Sequence, residues 1–230
     1  MHIPDGYLGP QTWSGCLVVS VGLWNLAARK IRRSFEAKKI PLLAISAAFS
    51  FLIMMFNIPI PGGTTGHAVG GVLIALSVGP WAASLAISIA LAVQAFLFGD
   101  GGITALGANC LNIAFVMPFF GTWVFSLVSR ISSKRSMQAF SAGVAGWAGL
   151  NAAALSTSIL LGIQPLLHSG ANGQALYAPY PLSVAVPIMM TEHLLLFGIF
   201  EGLVTGMVVY ALLGSRSVWI LNSTLSKATP

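Results

Sequence analysis

Two basic blocks, R-K-I-R-R-S-F-E-A-K-K (Arg29 to Lys39) and R-I-S-S-K-R (Arg130 to Arg135), bracket a long interval with no Lys or Arg in it. A water-facing surface cannot be assembled from such an interval, so it restricts what this chain can fold into more than any other feature. Only 7% of the residues are charged and 56% are hydrophobic, against about 25% charged in a soluble domain. The bilayer is the one solvent that suits this composition. The expected fold class is an all-α integral membrane protein.

The net charge of +6 then belongs to anchors beside membrane spans, not to a nucleic-acid surface. Cys16 and Cys110 sit in apolar runs, form no C-x-x-C motif, and read as buried small hydrophobes. No Lys or Arg precedes Arg29, so a secretory n-region is missing and Met1 is expected to be the mature end. The bulky His2 is expected to discourage removal of the initiator methionine.

The first span is expected over 11–28, stopped by the block that holds six of the eleven Lys and Arg residues. Basic blocks stay in the cytoplasm, which puts the N-terminus outside. Both blocks must lie inside, so an even number of spans separates them, and four use the apolar chain. Breaks are expected at N-I-P-I-P-G-G-T-T-G-H (Asn57 to His67), at Gly79-Pro80 and at G-D-G-G (Gly99 to Gly102). The third span, 68–78, is short, and so tilted or partly re-entrant. A sixth covers 138–162 and a seventh 182–213, breaking or tilting near Pro187. In this bundle of seven transmembrane helices every Lys and Arg is cytoplasmic, Arg216 and Lys227 in the tail included. The chain reads as one domain: a tail (1–10), a helical bundle (11–213) and a cytoplasmic tail (214–230). Gly198, Gly202 and Gly206, like Ala82, Ala86 and Ala90, form small-residue stripes suited to close helix packing within the molecule.

All four histidines, His2, His67, His168 and His193, are expected on the outer half. His2 is the most informative. The α-amine of Met1, the backbone nitrogen of His2 and its Nδ1 close one five-membered and one six-membered ring around a metal ion. Three nitrogens are thus preorganised in one plane, and His67, in G-G-T-T-G-H-A-V-G-G, can complete a square. Planar four-nitrogen coordination suits Ni(II) or Cu(II) and not tetrahedral zinc. The amide nitrogen must lose its proton, so affinity should fall in acid. Pro4 and the Asp5-Gly6 turn let the segment fold back into the bundle. On these residues alone an ordinary His2 on a mobile chain end, with a hydrogen-bonded His67 in a loop, is an equal alternative.

M-H-I-P-D-G-Y-L, N-I-P-I-P-G-G-T-T-G-H, Q-A-F-L-F-G-D-G-G-I-T-A-L-G-A-N and E-G-L-V-T-G, in this order, resemble the CbiM/NikM family. These are the substrate-capture (S) components of energy-coupling factor importers for cobalt and nickel, and the resemblance runs from residue 1 to about residue 206. It points to a NikM-type nickel component. The resemblance implies seven helices with the N-terminal tail inserted, and Met1, His2 and His67 as metal ligands. It implies a prokaryotic cell membrane and, as partners, a transmembrane coupling (T) component, two cytoplasmic ABC ATPase subunits and a small accessory membrane protein. No G-x-x-x-x-G-K-[ST] occurs here, so ATP hydrolysis belongs to other chains. The transported ion is Ni(II) or, alternatively, Co(II) destined for cobalamin synthesis; no cofactor is expected.

Asn57, Asn109 and Asn112 are candidates to hydrogen-bond the ligands or the tail. Asp100 is read first as a turn cap and second as an attraction for incoming cations. Glu192, His193 and Glu201 form a possible intramembrane polar cluster, since ionisable groups there are costly; structural pairing is as good a reading as a role in metal passage. His168 is read as incidental. An intramembrane metalloenzyme built on these residues is a weaker alternative, for H-E-x-x-H and G-x-S-x-G are both missing. A self-sufficient channel would want a longer polar path.

Overall fold

The computed structural model of the chain describes residues 1–34, 39–60 and 64–215. Residues 35–38 of the first basic block, 61–63 of the glycine-rich loop and 216–230, with Arg216 and Lys227, lie outside the described residues. Most of the expected cytoplasmic tail therefore does too.

Seven helical segments are described: α1 (Pro10–Ser34), α2 (Ile40–Met54), α3 (Gly71–Val78), α4 (Pro80–Phe98), α5 (Leu106–Ile131), α6 (Arg135–Leu167) and α7 (Leu182–Leu213). Of these, α4 to α7 are long and apolar enough to cross a membrane. The helix α1 does not stop at the basic block, as expected from sequence, but carries Arg29 to Arg33 on its last turns. Pro41 and Pro80 sit in the first turns of α2 and α4, where the missing N–H costs nothing. The eight-residue α3 rises only about 12 Å, too short for a hydrocarbon layer of about 30 Å. Every one of its residues is buried, so protein surrounds it.

The break at 57–67 is more ordered than a loop. It forms a hairpin, β1 (Ile58–Ile60) against β2 (Thr64–Gly66), with Ile58 opposite Gly66. This two-stranded ribbon delivers His67 to the head of α3. Outward faces are apolar throughout, with Val18, Phe96, Leu97, Leu195 and Leu203 all exposed. Cys16 and Cys110 are free and buried.

The small-residue stripes pack inside the molecule. A Cβ on Gly202 would meet the Gly143 carbonyl oxygen at 2.8 Å, and one on Gly206 the Ala139 carbonyl oxygen at 3.1 Å. The α6–α7 seam therefore runs on backbone contact that any side chain would prise open. Ala82, Ala86 and Ala90 are likewise buried.

Three helices contain a π turn: α4 at Gln94–Phe98, α5 at Cys110–Val116 and α7 at His193–Phe197. Each widens its helix next to the residues that receive the N-terminal tail. Such turns re-aim side chains where a regular helix would point them elsewhere.

Candidate metal centre

The first nine residues are not a loose end. Met1, His2 and Ile3 are buried, and long-range hydrogen bonds sew the strand down from both sides. The Asn109 side chain clamps Ile3 as a strand neighbour would: Oδ1 accepts the Ile3 N–H at 2.8 Å and Nδ2 donates to the Ile3 carbonyl at 3.1 Å. The Gly102 N–H donates to the same carbonyl at 2.9 Å. The Asp5 carboxylate accepts the backbone N–H groups of Ile103 (3.0 Å) and Thr104 (2.8 Å) and the Thr104 hydroxyl. Further along, Tyr7 accepts from the Ala178 N–H, and Gly9 donates to Gln164 Oε1.

The G-D-G-G turn lies against this segment because its last two residues lack side chains. Gly101 is left-handed (φ 86), and a Cβ on Gly102 would fall 2.5 Å from the Asp5 nitrogen. Glycine is required at both, for conformation at one and for closeness at the other.

At the end of the strand the Met1 amine faces Thr65 Oγ1 at 3.5 Å. Burial pushes its pKa down from 8.0 to about 4, only partly opposed by the charges of Asp100 and Glu192. The amine is therefore neutral at neutral pH, with a lone pair to offer. The His2 and His67 rings lie with centroids 4.5 Å apart. His67 is wholly buried, and its Nδ1–H must donate to the Ala68 carbonyl at 3.0 Å, since a carbonyl only accepts. Its Nε2 then carries a lone pair with no hydrogen-bond partner. Burial, followed by the neighbouring amine and His2, holds the His67 pKa well below the ordinary value. His2 is lowered too, first by burial, against the pull of Asp100.

Asp100 is not simply a turn cap. Its Oδ1 accepts from His2 Nδ1 at 2.9 Å and its Oδ2 from Asn57 Nδ2 at 3.1 Å. Burial works to raise its carboxyl, but the hydrogen bond and charge of His2 outweigh that and keep it below the usual range. Among the described residues no group of three or more His, Cys, Asp or Glu side chains is arranged to hold a metal ion. Nitrogens gathered here thus come from a chain end as well as from side chains.

The CbiM region, described as the cobalt uptake substrate-specific transmembrane region, matches residues 2–219. The chain belongs to the CbiM family. Its resemblance is to the nickel-type members: it is 53% identical over 208 residues to a fused nickel transport protein NikMN of Rhodobacter capsulatus, covering 89% of this chain and 59% of that protein. A probable fused nickel transport protein LarMN of Lactiplantibacillus plantarum is 46% identical over 203 residues, 87% of this chain and 61% of its own length. The chain thus spans about three-fifths of the fused relatives it matches. A crystal structure of a truncated transition metal transporter superposes with a TM-score of 0.90 at 51% identity, over 93% of this chain and 99% of that one.

Within this CbiM-family fold the remaining sequence candidates separate. Asn57 and Asn109 stand at the tail, but Asn112 does not. It donates to Thr157 Oγ1 (3.1 Å) and accepts from Ser156 Oγ (2.6 Å), tying α5 to α6, because the π turn at Cys110–Val116 directs it away from the tail. Nor do Glu192, His193 and Glu201 make one paired cluster. Among the described residues the carboxylate–histidine pair is instead His2 with Asp100. His193 donates Nδ1–H to the Met189 carbonyl at 2.8 Å and packs at a tilt against Phe197, with ring centroids 5.3 Å apart. Glu192 is half-buried beside it, while Glu201 reaches the backbone behind His67. His168 is not idle: a Cβ on Gly9 would strike its Nε2 at 2.1 Å, so its ring lies flat over the tail where it enters α1.

Sequence reasoning did not find Asp5, Gln164 or the hairpin. The signal for Asp5 was available: an acidic residue five positions into a strand that must cover unpaired N–H groups at a helix entrance.

Proposed function

We propose that this CbiM-family chain captures a divalent transition metal ion, Ni(II) first, on the outer side of a prokaryotic cell membrane. The ion is held as cargo by the Met1 amine, the His2 backbone nitrogen, the His2 imidazole and the His67 imidazole in one plane. The observation that carries this reading is a buried amine, its pKa pushed far down by burial, beside two histidine rings 4.5 Å apart, the His67 ring with an unpartnered Nε2. Nitrogen donors in a plane favour Ni(II) over zinc. The family's description gives cobalt as the second reading of the same site.

Loading requires one movement. The His2 Nδ1 that would close the six-membered ring is here engaged with Asp100. A turn about Cβ–Cγ frees it, and replaces it at the carboxylate by Cδ2. Asp100 thus competes with the ion for this nitrogen.

In this proposal the tail (1–10) and the bundle (11–213) form a single seven-span capture domain, N-terminus outside and C-terminus (214–230) cytoplasmic. The chain serves as the S component of an ATP-driven importer. A T component, two ATPase subunits and a small accessory membrane protein come from other polypeptides or from the further sequence seen in fused relatives. The test is the nickel content and absorption spectrum of protein that begins at Met1, beside protein with one residue placed before it. Stoichiometric nickel with a planar-nitrogen spectrum in the first alone supports the site. Equal binding by both removes the amine from it.

A further inference from the structure

One face of α7 forms the floor under His67. His193, Phe197 and Glu201 recur every four residues, a spacing that drifts around a regular helix; the π turn at His193–Phe197 absorbs that drift. Phe197 lies under the hairpin, where a Cβ on Gly66 would come within 1.9 Å of its ring. Glu201 is buried, and its Oε2 accepts two consecutive backbone N–H groups, Val69 at 2.9 Å and Gly70 at 3.0 Å. These belong to the turn immediately after His67 and open α3, whose first N–H groups have no partner within the helix. The His67 ring is itself tied to this turn through the Ala68 carbonyl. His67 is thus located by a chain of three links: ring to Ala68, turn to Glu201, Glu201 to α7.

We infer that Glu201 is a positioning residue for the metal-binding histidine, and that α7, through it, sets where the His67 Nε2 points. The inference rests on the capture reading for its consequence, but not for its geometry. Glu201 does not touch the cargo. It fixes the backbone just after the ligand, at Val69, 132 residues away in sequence. Because α7 also packs along the glycine seam against α6, any displacement of α7 relative to α3 is delivered to this carboxylate and from it to His67.

The experiment compares the full chain beginning at Met1 with its E201Q, E201A and E201D variants, using histidine ring resonances in the metal-free protein and Ni(II) affinity by titration. Gln keeps a carbonyl oxygen that can accept both N–H groups, whereas Ala removes the acceptor and Asp withdraws it by one methylene. The expected result is one sharp His67 environment in wild type and E201Q, and a broadened or split one in E201A. Nickel affinity should stay within about threefold for E201Q and fall about ten- to a hundredfold for E201A. His168, held in the outer loop, is the internal control and should not change. If E201A does not purify as a folded protein, E201D answers the same question with a smaller displacement. An unchanged His67 in E201A, or in E201D where that stands in, overturns the inference, as does equal disturbance of His67 and His168. If wild type binds no nickel while His67 alone loosens in the variant, positioning stands and the capture reading falls.

Discussion

The inserted tail and the α6–α7 seam are both close approaches of backbone to backbone, yet they are held by opposite means. Along the seam, between the hydrogen bonds that Arg135 and Trp147 donate to the Tyr210 and Leu194 carbonyls, Gly143, Gly202 and Gly206 let two helices touch because they have no side chains. Along the tail directed hydrogen bonds add to the burial of Met1, Ile3 and Leu8: Asn109 pairs with the Ile3 backbone, Asp5 accepts from Ile103 and Thr104, and Gln164 accepts from Gly9. Packing by omission fixes distance, whereas hydrogen bonding fixes register. The metal site proposed for the chain end would need register, and a bundle needs distance.

The sharpest break of this contrast is Gly202→Val. It puts a branched side chain where even a Cβ sits 2.8 Å from the Gly143 carbonyl, and should cost about 3 kcal/mol. Loss of monodisperse folded protein, with a lowered melting temperature, is the expected outcome. Acidification should do the reverse, sparing the bundle and releasing the tail. The docked amine titrates near 4 and the free one near 8.0. The docked state therefore binds fewer protons throughout that window, so docking gains with rising pH and is lost as pH falls below 8. Nickel affinity should drop about tenfold per unit of acidification for each proton that binding releases, the His2 amide proton first, read by titration between pH 8 and 6.

Smaller effects sharpen the comparison. Asn109→Ala orphans the buried Ile3 N–H, while Gly102 still serves the carbonyl. About 2 kcal/mol, or about thirtyfold in nickel affinity, should follow with little change in melting. Asp5→Ala, at an exposed position, removes a cap of about 1 kcal/mol and should weaken binding about fivefold. Asn112→Ala should leave nickel binding unchanged and lower only thermal stability, since its partners are Thr157 and Ser156. A loss of binding there would join the two regions that the structure keeps apart.

Much of this was legible without coordinates. Sparse charge and apolar runs placed the helices, because hydrocarbon leaves a chain few alternatives. The chelating geometry of Met1 and His2 follows from covalent bonds, so it could be read from two residues. What escaped depends on direction. Glu192, His193 and Glu201 look like a cluster when read along α7, but Glu201 is engaged by the backbone after His67 and His193 by the Met189 carbonyl of its own helix. Asn109 and Asn112, three apart, ought to share a face; the π turn between them sends one to the tail and the other to α6. A wide turn leaves no mark in hydrophobic periodicity, so its consequences stay hidden until the helices are seen together.

The tail also imposes an order of events. Residues 1–9 leave the ribosome first, but Asn109, Gln164 and Ala178, which hold them, follow more than a hundred residues later. Contacts of such separation form late, after the local helices that carry their partners. A segment synthesised long before its partners is therefore seated only after them, and the bundle must assemble around an open slot before residues 1–9 can fill it.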